Sequence, residues 1–179
     1  MGNRERYLGE IFMRPIKLNI NRGSHLPVLM KLIHITTGPI LELGAGIYST
    51  PFLHWACYPT KRRLVTYENN PSYYEYARRC QNDYHAVNYI TNWDDINISE
   101  PWSIAFIDHS PSERREIEIK RLLHADYIVA HDTENSQMVK YGYHKILNLF
   151  KYRYKFSEIR PHTTIFSNKY DVRYFSVNP

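Results

Sequence analysis

Cysteine is scarce in this chain, with Cys57 and Cys80 as the only two among 179 residues. Both fall in predicted helices, and their separation does not match the ligand spacing of a metal site. We therefore expect no disulfide framework, no zinc cluster and a reducing, cytoplasmic location. Long apolar runs are also missing, because no stretch approaches the roughly 20 residues of a membrane span. The N-terminus shows no apolar signal region, so we expect no membrane association.

Glycine is also sparse, with seven residues, and two of them follow a short apolar run closely. The segment 40–43 (Ile-Leu-Glu-Leu) is predicted to be a buried parallel strand, and Gly44 and Gly46 are predicted to form the turn after it. Thr50 and Pro51 offer a capping hydroxyl and a first-turn proline for a following helix. Because glycine permits sharp turns and close approach of a ligand to the backbone, we expect this segment to be the centre of a binding site.

Positive charge is in modest excess, with a formal net charge of +5 and a pI near 9.1. This excess favours acidic partners only mildly. The segment 151–156 alternates basic and aromatic residues, which as a strand places its cations on one solvated face; contact with a phosphate backbone is the alternative. Three arginine pairs are predicted to lie on solvated helix or turn faces: Arg62-Arg63, Arg78-Arg79 and Arg114-Arg115.

Apolar runs and helical patterns alternate from Ile40 to about Phe150. The predicted strands cover 40–43, 64–67, 86–90, 104–107, 127–130, 151–157 and 163–167. Such alternation is typical of βαβ units, which build a parallel sheet with helices on both faces. The last two strands have no helix between them and are predicted to form an antiparallel hairpin.

Three further features complete the predicted layout. Residues 1–26 are polar and irregular, and we expect an N-terminal arm or lid, with the main domain over 27–179 and a helix from Pro27. A charged helix is predicted from Ser112 to about Leu123. Another helix is predicted between the fifth and sixth strands from an apolar stripe at Val139, Tyr143, Ile146, Leu147 and Phe150.

Acids and histidines follow three of the predicted strands. Glu68 closes the second strand, Asp108 and His109 follow the fourth, and His131 and Asp132 follow the fifth. Because the carboxyl ends of parallel strands share one edge of a sheet, we expect these side chains to converge where open α/β sheets bind ligands.

The segment 42–46 (Glu-Leu-Gly-Ala-Gly), Glu68, Asp108 and the closing hairpin together resemble the class I S-adenosylmethionine-dependent methyltransferases, over about residues 28–168. The resemblance implies a Rossmann-like, mostly parallel seven-stranded sheet and a methyltransferase domain over 27–179 that uses S-adenosylmethionine. The implied cofactor-binding residues are Glu42, Gly44, Ala45, Gly46, Ser49, Thr50, Glu68, Asn69, Trp93, Asp94 and Asp108.

The resemblance also implies a role for individual side chains. Glu42 is expected near the ammonium of the cofactor's methionine end, and Glu68, helped by Asn69, is expected to accept the ribose hydroxyls. Trp93 is expected to stack on adenine, and Asp94 to accept a hydrogen bond from its amino group.

Two catalytic arrangements remain open for the acceptor side, drawn from Asp108, His109, His131 and Asp132. In one, His109 or His131 is a general base. In the other, Asp108 and Asp132, together with Glu134 or His131, hold a divalent cation such as magnesium. The spacing resembles small-molecule O-methyltransferases, although Thr133 stands where the catechol type has asparagine. The acceptor is therefore expected to be a small hydroxylated molecule.

Two other functions are compatible with this pattern. A nicotinamide-dependent oxidoreductase normally needs a third glycine, and Ser49 stands at that place. A non-catalytic nucleotide- or RNA-binding module is the other alternative, and nucleic acid is not the favoured partner. The sequence predicts no oligomeric state.

Overall fold

A computed structural model describes residues 19–177 of the chain. Most of the expected arm, residues 1–18, lies outside this range; the part within it contains a 3-10 turn at Ile20–Gly23. The four α-helices of the described part are α1 (Leu26–Ile35), α2 (Ser49–Cys57), α3 (Pro71–Ala77) and α4 (Arg115–Arg121). Its seven strands are β1 (Ile40–Leu43), β2 (Leu64–Glu68), β3 (His85–Tyr89), β4 (Ile104–Ile107), β5 (Tyr127–His131), β6 (Tyr152–Phe156) and β7 (Thr163–Ser167).

The seven strands form one mixed sheet in the order β3-β2-β1-β4-β5-β7-β6. The first five are parallel to one another, and β7 pairs antiparallel with both β5 and β6. The predicted fold class is therefore confirmed, including the antiparallel hairpin at the end. The chain runs outward from β1 through β2 to β3 and then resumes at β4 on the other side, so the strand order reverses beside β1. A ligand crevice is expected at that reversal.

Apolar clusters cover both faces of the sheet, and successive residues of β1 contribute to opposite faces. Leu41 and Leu43 join a cluster that includes Trp102 and Ile119, whereas Ile40 joins one that also contains residues of α1 and α2. This alternation is what a strand buried on both faces requires. It also directs Glu42 toward the α2 side of the sheet.

The helix predicted between β5 and β6 is wrong. This segment instead forms turns and two 3-10 helices, Tyr143–Lys145 and Leu147–Leu149. Gly142 has a φ of +71°, which interrupts a right-handed helix, and a Cβ there would approach the Glu116 side chain to 2.7 Å. Part of the predicted apolar stripe still packs inward, because Tyr143 is fully buried, whereas Val139 is 73% exposed.

Arg62 was predicted to face solvent, but it is buried. Its guanidinium donates to the carbonyls of Gly38 and Thr36 and to the Thr36 hydroxyl, at 2.5, 3.0 and 2.8 Å. These carbonyls follow the end of α1, where a helix leaves acceptors without internal partners. Arg62 therefore ties the end of α1 to the start of β2. Among residues 19–177, no helix has the length and apolar character needed to cross a bilayer.

Candidate functional site

A cavity of about 510 Å³ opens at the carboxyl edge of the sheet, beside β1. Ala45 and Gly46 form one wall together with Glu68, and Asp108 and His131 lie across from them. The strand ends therefore converge as expected. Asn21 and Arg22 of the 3-10 turn before α1 also line this space, so the described end of the predicted arm borders the cavity.

Gly44 is needed for packing between two loops. Its φ is +93°, and an added Cβ would lie 2.6 Å from both the N and Cα of His109. The residue therefore allows the turn after β1 to contact the turn after β4. Gly44 does not line the cavity, whereas its neighbours Ala45 and Gly46 do.

Glu68 is held rigidly at the end of β2. One carboxylate oxygen accepts from the Ala45 N–H at 2.7 Å, and the other accepts from the Asn70 N–H at 2.5 Å. Burial raises the pKa of Glu68, and the backbone donors of Asn70, Ala45 and Asn69 oppose that rise. Glu68 and Asn70 line the cavity, while Asn69 does not. The carboxylate keeps lone pairs for a ligand because two amides occupy only part of its acceptor capacity.

Glu42 lies beneath the glycine turn, fully buried, and it does not line the cavity. Its Oε2 accepts from the hydroxyls of Thr50 and Thr66, at 2.9 and 2.8 Å. The Gly46 N–H donates to the Thr50 hydroxyl oxygen at 3.0 Å, so Glu42 reaches the turn through Thr50. Burial raises the pKa of Glu42 to about 7, although hydrogen bonds from the hydroxyls of Ser49, Thr66 and Thr50 oppose that rise.

The expected capping role of Thr50 is wrong. Helix α2 begins one residue earlier, at Ser49, after Tyr48, which gives no side-chain cap. The Thr50 hydroxyl is directed inward to Glu42, so its donor is already used. Ser49 lines the cavity, but Thr50 does not.

Arg115 joins the two strand ends across the cavity, although it was predicted to be solvated. Its guanidinium lies 2.8 Å from an Asp108 carboxylate oxygen and 3.1 Å from one of Asp132. It also donates to the carbonyls of His109 and His131, at 2.9 and 3.2 Å. Burial raises the pKa of Asp132. The pKa of Asp108 is instead lowered, because the positive charges of His131 and Arg115 outweigh the effect of burial.

The contacts of His131 favour a proton on both ring nitrogens. The Ser24 hydroxyl donates its only hydrogen to the Pro161 carbonyl at 2.6 Å, so it presents a lone pair to His131 Nε2, 3.0 Å away. The other nitrogen, Nδ1, lies 3.2 Å from an Asp108 carboxylate oxygen. Both nitrogens therefore face acceptors. Burial lowers the pKa of His131, but Asp108 and Asp132 outweigh it and raise the pKa overall.

His109 lines the cavity, but its ring packs between Trp93 and Glu118. Its ring lies 4.2 Å, centroid to centroid, from the Trp93 indole, and its Nε2 is 3.3 Å from a Glu118 carboxylate oxygen. The side chain is fully buried. Burial lowers the pKa of His109, although the nearby Glu118 carboxylate acts to raise it.

Solved structures of methyltransferases resemble this chain. An O-methyltransferase from Bacillus cereus in complex with SAH aligns at a TM-score of 0.60 and 17% identity, over 86% of this chain and 83% of that chain. The N-terminal domain of human METTL16 in complex with SAH aligns at 0.60 and 13% identity, over 88% and 74%. The cofactor-bound protein Rv0187 from MTB aligns at 0.65 and 18% identity, over 89% and 85%.

The chain has the class I methyltransferase fold. No protein-family model and no curated protein matches the sequence. At these identities the likeness establishes the fold, so the roles of individual side chains in this methyltransferase fold are argued from the geometry of the cavity.

Trp93 and Asp94, predicted for the adenine, do not line the cavity. The Trp93 indole is 2% exposed, and its N–H donates to the Ser110 carbonyl at 2.9 Å. Asp94 lies at the surface in an ion pair of 2.7 Å with Arg114. Trp93 packs in the core because Ile98 and Trp102 extend the apolar cluster behind it.

Of the residues predicted to hold a divalent cation, Asp108, Asp132 and His131 lie together, whereas Glu134 does not join them. Arg115 pairs with both Asp108 and Asp132, which places a positive charge where the cation was expected. Glu134 lies outside the cavity lining and accepts from the His162 N–H at 2.7 Å. The described side chains therefore do not support this metal set.

His25, which sequence reasoning missed, lines the cavity. It precedes α1, packs 4.6 Å from Phe106 and meets the His131 ring edge-on at 4.8 Å, between centroids. No local pattern marks it, because its neighbours in space are more than 80 positions away in the chain. Its adjacent residue Ser24 bonds His131, so the Ser24-His25 pair closes this wall.

Proposed function

We propose that this protein binds S-adenosylmethionine in the cavity and transfers its methyl group to a small hydroxylated acceptor. The observation that carries the proposal is the Glu68 carboxylate, held by the N–H groups of Ala45 and Asn70 at the end of β2 and facing the cavity. A fixed carboxylate at this place can accept both hydroxyls of a ribose. The fold supports the proposal, because solved structures that align with this chain contain SAH.

The remaining walls suit the other end of the cofactor. The turn at Ala45 and Gly46 offers backbone close to the methionine end, and Asp108 offers a carboxylate for its ammonium. A cofactor held at Glu68 and at Asp108 would leave the side of the cavity lined by His25 and His131 for the acceptor. The main contribution of the protein is then alignment of acceptor and methyl group for in-line transfer.

The size and position of the cavity favour a small acceptor. A volume of about 510 Å³ lies within the range of small-molecule sites, and the cofactor itself takes much of it. The basic side chains of β6 are exposed on the outermost strand, with β7, β5 and β4 between them and β1. A nucleic acid on that strand would lie away from the cavity.

Calorimetric titration with S-adenosylhomocysteine tests the proposal. We expect binding to the wild type, and Glu68→Ala should weaken it at least about tenfold, because hydrogen bonds to a charged group contribute about 1.5–3 kcal/mol each. The matched control is Glu100→Ala, which removes a partly exposed acid paired with Arg63. Unchanged affinity in Glu68→Ala would contradict the assignment.

Thermal-shift measurements separate the alternative functions. Only S-adenosylhomocysteine should stabilise a methyltransferase, whereas NAD or an oligonucleotide should stabilise an oxidoreductase or a nucleic-acid-binding module. Stabilisation by NAD alone would overturn the proposed cofactor.

A further inference from the structure

Three histidine side chains line the cavity, and two of them contact carboxylates of the protein. Both ring nitrogens of His131 face acceptors, which are the Ser24 hydroxyl oxygen and an Asp108 carboxylate oxygen. His109 also lines the cavity, but its ring is buried against Trp93, and its Nε2 lies 3.3 Å from a Glu118 carboxylate oxygen. Neither histidine predicted as general base is placed to take a proton from a molecule in the cavity.

His25 differs from both in having no ion pair among the described residues, whereas His109 and His131 each lie within 3.3 Å of a carboxylate oxygen. The residue is 2% exposed, and neither of its ring nitrogens has a hydrogen-bond partner, which is also true of His109. Buried polar atoms in native proteins are nearly always paired, and exceptions occur where a ligand completes the pairing. One ring nitrogen of His25 lies within 4.8 Å of an Asp108 oxygen and a His131 nitrogen, so it faces the charged end of the cavity.

The surroundings of His25 favour its neutral form. Burial and then the His131 cation lower the pKa of His25 to about 3, while Asp108 opposes them. A neutral imidazole has one lone pair available as an acceptor. The charged groups near it, Asp108, His131 and Arg115, already form a network of their own.

We propose that His25 takes the proton of the acceptor hydroxyl during methyl transfer, an inference that rests on the proposed function. The acceptor oxygen forms the new bond to the methyl carbon, the carbon–sulfur bond breaks, and its electron pair stays on sulfur. The O–H proton passes to His25, whose positive charge lies near Asp108, and then to water. The low basicity of His25 suffices because an oxygen that is gaining a methyl group becomes strongly acidic.

The backbone holds His25 in this place. It precedes α1, and the next two residues, Leu26 and Pro27, start the helix. On its other side Ser24 bonds both His131 and the Pro161 carbonyl, which connects the start of α1 to the sheet. The unpartnered nitrogens of His25 therefore belong to a rigid part of the wall.

The test compares His25→Asn with His34→Asn, a control that changes an exposed histidine on the same helix. Phenol and 4-nitrophenol serve as probe acceptors with S-adenosylmethionine. With phenol, which carries its proton, kcat should fall by about 10²–10⁴-fold in His25→Asn, with KM for S-adenosylmethionine unchanged. With 4-nitrophenol at a pH where it is ionised, the loss should nearly vanish. Equal losses for both probes, or no loss, would overturn the proposal.

Nitrogen-15 NMR of the wild type in complex with S-adenosylhomocysteine gives a second measurement, independent of turnover and of variant folding. At neutral pH His131 should show two protonated nitrogens and His25 one, and phenol should shift the unprotonated nitrogen of His25. Absence of that shift refutes the proposal, whether or not phenol is methylated.

Two further results distinguish other failures. If the wild type does not bind S-adenosylhomocysteine, the proposed function itself fails; if binding is normal and only the phenol result fails, this inference alone is lost. Stabilisation by manganese(II) that disappears in His25→Asn would make His25 a metal ligand with Asp108 and His131, and would also overturn the proposal.

Discussion

Replacement of Arg115 by methionine should destabilise the protein strongly. The side chain is 5% exposed and is paired with Asp108 and Asp132. Methionine keeps much of the volume but leaves the two carboxylates without the guanidinium, with His131 as the remaining cationic neighbour of both. Removing one partner of a buried ion pair costs about 3–5 kcal/mol. At about 2–4 °C per kcal/mol for a chain of this size, the unfolding midpoint should fall by about 6–20 °C.

Urea and thermal unfolding monitored by circular dichroism measure this change. The matched control is Arg79→Met, an exposed arginine on the surface, for which we expect a change within about 0.5 kcal/mol. Without Arg115 the pKa values of Asp108 and Asp132 should rise, so the difference from wild type should shrink as the pH is lowered and these carboxyls become neutral. A loss below about 1 kcal/mol, or one independent of pH, would refute the pairing described here.

The remaining predictions concern the turn after β1. Folding raises the pKa of Glu42 from 4.5 to about 7, so the folded state keeps a proton that the unfolded state has released, and stability falls as the pH rises through this window. Between these pH values the wild type should lose about 3 kcal/mol of unfolding free energy that Glu42→Gln does not lose. Parallel pH profiles of the unfolding free energy for the two proteins would contradict this. Gly44→Ala should cost about 2–5 kcal/mol from its positive φ and its clash with His109, whereas Gly23→Ala, whose added Cβ meets only ordinary contacts, should not; equal midpoints would refute this.

The positions of the strands and of the binding edge could be predicted, because each strand is a short apolar run that ends in polar residues. The run ending at Glu68 and the run ending at Asp108 both lead to the observed cavity. This information is local, because it lies in the apolar periodicity and the composition of each short segment. The segment after β5 lacked such a reliable signal, since the apolar spacing of a helix is present but Gly142 adopts a left-handed conformation.

The orientation of side chains within the site could not be predicted. Arg114 and Arg115 are adjacent, yet Arg114 pairs with surface Asp94 while Arg115 turns into the cavity. Neighbouring positions on a helix face directions far apart, and a doublet does not tell which one is inside. His25 was missed because its role depends on contact with His131, 106 residues later in the chain.

The place of β7 between β5 and β6 has a consequence for biosynthesis. The sixth strand leaves the ribosome before the strand that connects it to the rest of the sheet, so it must wait unpaired. The loop ahead of β7 also supplies the Pro161 carbonyl that orders Ser24. A nascent chain therefore completes the wall of the cavity only after the residues up to β7 have been synthesised.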